Sequence, residues 1–173
     1  PKPLFTYIQT MSAHWPYDWI MEPKHEVRGG GPGTHPDMHE YLRRVSMAKM
    51  DYDHLKAELA RRFPGEPILI MHYGDHQPMA TRKLLGFAED TLVEEVAIGP
   101  DSIGYQTYYA VDAINYRAPA LPAHDVVDVP YLPAILLQQA GLPLSEPNRE
   151  RLRLMAACEG RYNDCKKRHE ILS

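Results

Sequence analysis

The sequence predicts an α/β fold built on a mostly parallel sheet. Residues 4–10 and 68–73 are short runs rich in apolar, β-branched and aromatic side chains, which is typical of strands. A long helical pattern separates them, so the two strands can run parallel with a right-handed crossover. A chain of 173 residues is enough for one domain with a real core. We therefore predict a single domain over residues 1–173.

The predicted first helix follows a capping-box pattern, with Asp37 as the cap and Glu40 three residues later. Arg61 and Arg62 suit the negative end of the helix, and Pro64 follows as a stop signal. Apolar residues at helical spacing predict one buried face, formed by Tyr41, Leu42, Val45, Ala48, Tyr52, Leu55 and Leu59.

The rest of the chain predicts one further strand and several helices. Residues 107–116 are typical of a strand. The helices are predicted at residues 82–85, 129–140 and 146–157. Residues 22–36 are predicted to form a loop, because they hold a glycine-rich stretch at residues 29–33. It is not a phosphate-binding P-loop, because no Gly-Lys-Ser/Thr follows it.

Composition narrows the possible partners. The formal net charge is −4 and the chain has no basic stripe, which argues against a nucleic-acid partner. No apolar run approaches the roughly 20 residues that a membrane span needs. The sequence opens on Pro1 without a methionine, as an excised piece of a longer protein would. Cys158 and Cys165 are too few for a four-cysteine zinc site, and both a local disulfide and two free thiols fit them.

The most informative stretch is the end of the strand at residues 68–73, where Gly74 is followed by Asp75 and His76. In open α/β sheets, ligands bind outside the carboxyl ends of the strands. A carboxylate and a neutral imidazole together suit a divalent ion such as Zn²⁺ or Mn²⁺. His14 follows the first predicted strand and should lie on the same rim. The alternative is a plain turn in which Asp75 caps a helix and His76 lies on the surface.

The other histidines have weaker claims to a site. His72 is expected to be a buried or partner-facing strand residue. His35 and His39 have helical ligand spacing, but Pro36 puts His35 outside the helix, so a metal site there is not expected.

Two further sets of residues lie near the predicted rim. A loop near the sheet end holds His124, Asp125 and Asp128, which are expected either to be solvated or to support the site. An aromatic cluster near His14 would line a headgroup pocket or pack in the core, and it consists of Trp15, Tyr17 and Trp19.

Three of these motifs occur in a recognisable order. A strand ends in Thr-Met-Ser-Ala-His14-Trp-Pro-Tyr, a capped helix follows, and a second strand ends in Gly-Asp75-His76. Together with the segment from Asp128 to Leu142, this order resembles the C-terminal half of the extracellular catalytic domain of the lipoteichoic acid synthase branch of the alkaline phosphatase/sulfatase superfamily. It is also similar to phosphoglycerol and phosphoethanolamine transferases. The resemblance covers about residues 4–142.

The resemblance implies a three-layer α/β/α fold, of which this chain is the C-terminal portion. It implies that Asp75 and His76 bind a catalytic divalent ion, which is Mn²⁺, Zn²⁺, Mg²⁺ or Ca²⁺. It implies that His14 is catalytic and contacts the transferred group, with Trp15 beside it in substrate binding. Phosphoethanolamine transferases often carry a further histidine about a dozen residues later, whereas position 88 here is Ala88. This difference favours a single metal.

The implied activity is a double displacement in which a phosphoryl group passes through an enzyme threonine to an acceptor. The substrate would be a phospholipid or glycan, and the parent a membrane-anchored, extracytoplasmic bacterial protein. The family's nucleophile and an acidic metal ligand lie in an N-terminal half outside these 173 residues, so the chain alone is expected to be inactive. The alternatives are a sulfuric ester hydrolase or phosphodiesterase on the same scaffold, and a truncated domain without catalysis.

Overall fold

The structure is a computed structural model that describes residues 2–27, 35–78, 81, 102–122 and 124–172. The helices are α1 (Pro36–Arg62), α2 (Leu132–Gln139), α3 (Glu146–Ala157) and α4 (Arg168–Leu172), and the strands are β1 (Ile68–Tyr73) and β2 (Tyr109–Ile114). Short 3-10 turns occupy Ile103–Tyr105 and Val129–Tyr131. The helix predicted at residues 82–85 and the glycine-rich loop at residues 29–33 lie outside the described residues.

The chain divides into two compact units. The first comprises Pro1–Arg62 and Gly74–Thr107, and the second comprises Phe63–Tyr73 and Tyr108–Ser173. The predicted single domain over residues 1–173 stays a prediction. Within the described ranges, every helix is too short or too polar to cross a membrane.

Helix α1 confirms the predicted long helix but not its predicted cap. The helix begins at Pro36, and the His35 carbonyl accepts the first intrahelical bond, from His39 N at 3.1 Å. Proline suits this first position because its missing N–H would have no partner there. Asp37 therefore lies inside the first turn rather than at the cap. The predicted capping box is wrong, and Glu40 is free for another partner.

The buried face of α1 is not the predicted apolar one. Its fully buried residues are Met38, Glu40, Arg43 and Arg44, three of which are charged. The predicted apolar residues are half-buried or exposed, and Val45 and Leu55 remain 38% and 39% accessible. The helix therefore packs mainly through its charged residues in the described part of the chain.

The strands predicted at residues 68–73 and 107–116 are confirmed as β1 and β2. They pair antiparallel, with a register that runs from Ile68↔Ile114 to Tyr73↔Tyr109. Residues 4–10 were also predicted as a strand, and that prediction is wrong, since they adopt no strand and pair with none of the other residues that the structure describes. A run of suitable side chains becomes a strand only when a neighbouring backbone satisfies its N–H and C=O groups. The three-layer, mostly parallel fold stays a prediction.

The second unit has a compact apolar core around α2 and α3. The buried residues are Tyr131, Leu132, Ile135 and Met155, against which Met71, Tyr109, Val127, Leu152 and Leu154 pack. The predicted helices at residues 129–140 and 146–157 are confirmed, the former as a 3-10 turn that continues into α2. Gly141 ends α2 with a φ of +64°, a conformation that glycine adopts without steric cost.

A disulfide between Cys158 and Cys165 decides the alternative that the sequence left open. The loop that it closes contacts the segment leading into α2. Asp128 N donates to Gly160 O at 2.9 Å, and the Asp128 carboxylate accepts from Tyr162 N at 2.6 Å. Asp128 is half-buried and binds the disulfide loop through both its backbone and its carboxylate.

Gly160 is the tightest point of this contact. Its φ is +84°, and an added Cβ would overlap the carbonyl oxygen of Val126. Gly65 has nearly the same φ, +83°, but nothing lies within 4 Å of its Cβ position. A side chain at either glycine would strain the backbone, but only one at Gly160 would also overlap another atom.

We expect Gly160→Ala to destabilise the chain more than Gly65→Ala. Left-handed backbone strain costs about 1–2 kcal/mol at both positions. Overpacking against Val126 adds about 1–3 kcal/mol at Gly160 alone. Urea unfolding of both variants and the parent chain measures the difference. Equal losses in the two variants would show that the disulfide loop does not dock against Val126.

Candidate functional site

The turn after β1 is held in place by the segment that precedes β2. The Thr107 hydroxyl donates to Gly74 O at 2.7 Å, and the Gln77 amide donates to Gln106 O. A Cβ on Gly74 would meet Thr107 Cβ at 3.2 Å, closer than ordinary packing allows. Glycine at position 74 therefore lets Thr107 approach and fix the turn that presents Asp75.

Asp75 and His76 turn their functional atoms toward each other. His76 Nε2 lies 3.6 Å from Asp75 Oδ2. The other carboxylate oxygen, Oδ1, accepts from His76 N at 3.0 Å. His76 Nδ1 lies 2.9 Å from the carbonyl oxygen of Gln77. Because a carbonyl can only accept, Nδ1 carries a proton, and Nε2 is the ring atom that faces Asp75.

This donor set fits two positions around a divalent ion. Zinc binds nitrogen and oxygen at about 2.0–2.2 Å, so two ligands at tetrahedral angles lie roughly 3.3–3.6 Å apart. The separation of 3.6 Å between His76 Nε2 and Asp75 Oδ2 matches that spacing. Histidines that bind metals usually donate their other N–H to a carbonyl or carboxylate, as His76 does to Gln77. Both side chains are mostly exposed, at 64% for His76 and 74% for Asp75.

The pair does not form a complete metal site within the described residues. No group of three or more His, Cys, Asp or Glu side chains is close enough there to hold an ion. His14, Asp75 and His76 all belong to the first compact unit. A metal would need at least one further ligand in addition to Asp75 and His76.

His14 has the same ring orientation as His76. Its Nδ1 lies 2.6 Å from the carbonyl oxygen of Trp15, so this nitrogen carries the proton and Nε2 is left for another partner. The imidazole is exposed. His14 thus turns Nδ1 toward its own backbone and presents Nε2 to solvent.

Arg44 holds the backbone on which His14 sits. Its Nη1 donates to His14 O at 3.2 Å and to Pro16 O at 3.0 Å, and its Nη2 donates to Trp19 O at 3.0 Å. The guanidinium carbon also lies 4.7 Å from the centre of the Trp19 ring. One buried side chain of α1 therefore fixes three carbonyls of an irregular segment.

Glu40 and Arg43 complete this cluster. Glu40 accepts from Arg44 Nε at 2.9 Å, from Arg43 Nε at 3.1 Å and from Met21 N at 2.9 Å. Arg43 Nη1 in turn donates to the carbonyls of Glu22 and His25. Glu40, Arg43 and Arg44 are 4%, 7% and 2% accessible, so the ion cluster is buried. We call these three residues the Glu40 cluster.

The charges of the Glu40 cluster depend on one another. Burial acts to raise the pKa of Glu40, but the Met21 N–H and the two guanidiniums outweigh it, so the pKa lies below its ordinary value. Two buried guanidiniums share this one carboxylate. Removing the carboxylate would leave two buried positive charges without a counter-ion, which is the costly case for buried ion pairs.

The aromatic residues near His14 divide into two roles. Tyr17 is buried, packs edge-to-face on Tyr41 at 5.9 Å and donates to Ala13 O at 2.9 Å. Of the two roles predicted for this cluster, Tyr17 therefore has the one of core packing. Trp15 and Trp19 are 58% and 52% exposed, so their rings are available to a ligand.

The remaining histidines do not join the site. His72, expected to be buried or partner-facing, is exposed on β1. His25 contacts Ser46 Oγ at 3.0 Å and helps to hold its segment on α1. His35 precedes α1 and lies 3.9 Å from the Asp37 carboxylate, which agrees with the expectation that it is outside the helix.

Sequence reasoning missed the residues that hold the candidate site in place. They are Thr107, which fixes Gly74, and the Glu40 cluster, which fixes His14. Thr107 is 33 positions from Gly74, and Arg44 is 30 positions from His14. The sequence did contain one signal, because Arg43 and Arg44 lie directly beside apolar positions of the predicted helix. Arginine is rarely buried without a partner, so this placement indicates buried ion pairs.

Comparison of the chain with family models, with curated proteins and with solved structures finds no match.

We expect Glu40→Gln to destabilise the first unit by about 3–5 kcal/mol, the cost of removing one partner of a buried ion pair. Glutamine keeps the shape but not the charge. Trp15 and Trp19, the two tryptophans of the chain, both lie in the segment that the cluster holds, so their fluorescence in urea reports its release. The control is Glu150→Gln, which breaks an exposed pair with Arg153 and should change little. Equal effects of the two variants would contradict the structural role of the cluster.

The Glu40 cluster should also make stability depend on pH. Since the folded pKa of Glu40 is lowered below its ordinary value of 4.5, its contribution is present above that value and is lost as pH falls through the folded pKa. Unfolding measured from about pH 6 down to about pH 3 should therefore show a larger loss in the parent chain than in Glu40→Gln. If the parent chain and Glu40→Gln lose the same stability in acid, the loss comes from other carboxylates.

Proposed function

We propose that this chain forms part of a metal-dependent phosphoryl-group transferase of the phosphoglycerol or phosphoethanolamine transferase type. Its substrate would be an extracytoplasmic glycolipid or glycan, and the parent protein would be anchored in a bacterial membrane. The observation that carries the proposal is the Asp75–His76 pair, with Nε2 and Oδ2 3.6 Å apart and the ring oriented by Gln77 O.

In this proposal Asp75 and His76 would hold the divalent ion. When bound, such an ion stabilises developing negative charge and lowers the pKa of an attacking hydroxyl. Asp75 Oδ1 keeps its bond to His76 N, so the two ligands stay in register with each other. The Thr107 hydroxyl keeps the turn rigid through Gly74 O, so the pair does not need to reorganise when the ion binds.

His14 acts on the transferred group. Its Nδ1–H is engaged with Trp15 O, so any proton exchanged with substrate is carried on Nε2. A protonated Nε2 donates a charge-assisted hydrogen bond to a non-bridging phosphoryl oxygen or to the leaving group. The exposed ring of Trp15, the next residue, offers an apolar surface for the glycerol or ethanolamine part.

In the full-length protein, Asp75→Asn should abolish turnover and metal content together, because the ion that activates the nucleophile loses a charged ligand. His14→Ala should lower kcat on the order of 10²–10³-fold and leave metal content nearly unchanged, as expected for one preorganised donor. Elemental analysis and steady-state kinetics on the same preparations measure both effects. The control is His72→Ala, an exposed strand histidine close in sequence, which should retain both metal and activity.

The assay should compare a chromogenic phosphodiester with an aryl sulfate. Turnover of the sulfate ester alone would assign the protein to the sulfuric ester hydrolases instead. No turnover of either ester by a folded, metal-loaded protein would favour the truncated, non-catalytic alternative. Loss of metal in His14→Ala with retention in Asp75→Asn would overturn the assignment of the two residues.

A further inference from the structure

Arg44 binds several backbone carbonyls close to His14. Arg44 donates to the carbonyls of His14, Pro16 and Trp19 at 3.0–3.2 Å. Arg44 does not bind the Trp15 carbonyl, which lies between those of His14 and Pro16 along the chain and contacts His14 Nδ1 at 2.6 Å. Arg44 therefore holds the residues on both sides of the peptide that orients the imidazole.

We infer that Arg44 is a positioning residue for His14, which it holds in the tautomer that presents Nε2. Free imidazole carries its proton on either nitrogen, so a fixed carbonyl acceptor is needed to select one. The Trp15 carbonyl selects Nδ1–H only while its peptide stays in place. Arg44 keeps it there because its guanidinium is almost fully buried and is itself anchored on Glu40.

The fork geometry of arginine suits this task. Its planar donors reach three carbonyls from one buried position, which an ammonium on a flexible stem does not reproduce. The guanidinium also stacks against Tyr17 and Trp19, at 5.2 Å and 4.7 Å from their ring centres. These contacts restrict the orientation of the guanidinium and therefore the positions of the three carbonyls that it binds.

Arg43 offers a matched comparison within the same cluster. It pairs with the same carboxylate, at 3.1 Å, and is nearly as buried as Arg44. Its carbonyl acceptors, however, belong to Glu22 and His25 and lie further along the segment. Loss of Arg43 therefore disturbs the ion cluster without touching the carbonyls that flank Trp15.

The test is ring ¹⁵N NMR of the 173-residue chain, at a pH where the spectra show neutral imidazoles. Signals are assigned with His14→Gln and His76→Gln. We expect His14 in the parent chain to be protonated on Nδ1. In Arg44→Met the signal should move to a mixture with a substantial Nε2–H share, whereas Arg43→Met should keep the parent tautomer. His76 is an internal control, because Gln77 O fixes its ring without help from Arg44.

The inference is overturned if His14 is not an Nδ1–H tautomer in the parent chain, or if Arg44→Met and Arg43→Met have equal effects on it. Should either methionine variant fail to fold, Arg44→Lys and Arg43→Lys replace them. The lysine variants keep a positive charge beside Glu40 but lack the planar guanidinium that binds three carbonyls. The same difference between positions 44 and 43 is then expected.

A kinetic arm rests on the proposed function and uses the full-length protein. Arg44→Met should lower kcat on the order of 10–100-fold, the usual range for a residue that orients a catalytic group. The double variant with His14→Ala should be no slower than His14→Ala alone, because Arg44 acts through that ring. Additive losses would overturn the positioning role. An inactive parent protein with the expected NMR result would instead refute the proposed function alone.

Discussion

The Glu40 cluster is the interaction on which the first unit depends. One carboxylate receives two guanidiniums and a backbone N–H, and those guanidiniums satisfy carbonyls between residues 14 and 25. That segment has no helix or strand in the structure, so its backbone groups need partners from side chains. Buried ion pairs add little net stability over apolar packing, but they fix geometry when every donor is used. The cluster therefore explains how an irregular segment holds a defined position for His14.

The imidazole rings of His14 and His76 are oriented by the same kind of hydrogen bond. In each, Nδ1 meets the carbonyl of the following residue, at 2.6 Å for His14 and 2.9 Å for His76. The two segments are held by different means, an arginine fork in one and the Thr107 hydroxyl in the other. In His14 this leaves Nε2 toward solvent, whereas in His76 it turns Nε2 toward Asp75 Oδ2. The proposed function assigns different partners to the two rings, a metal to His76 and the transferred group to His14.

Features that depend on local sequence pattern were predicted correctly, whereas features that depend on contacts between distant residues were not. Helices α1, α2 and α3 follow from periodicity and stop signals, and β1 and β2 from apolar runs. Residues 4–10 carry the same kind of run but have no strand partner in the structure. Glu40 fitted a capping box by its spacing to Asp37, yet its backbone partner, Met21, is 19 positions away. Asp75 and His76 were predicted from a glycine turn, whereas the hydroxyl that fixes the turn could not be paired with it from sequence.

The burial pattern of α1 follows from what faces it. An apolar helix face lowers free energy when it meets apolar side chains, but the segment at residues 14–25 presents carbonyl oxygens to α1. An apolar residue in place of Arg44 would leave three of those carbonyls without donors, at a cost of about 1–3 kcal/mol for each that stays buried. Charged residues with fixed hydrogen bonds are therefore the better choice on that face, although the helix also carries an apolar stripe. The same requirement makes the segment a rigid support for an exposed histidine, because moving it would break several charge-assisted bonds at once.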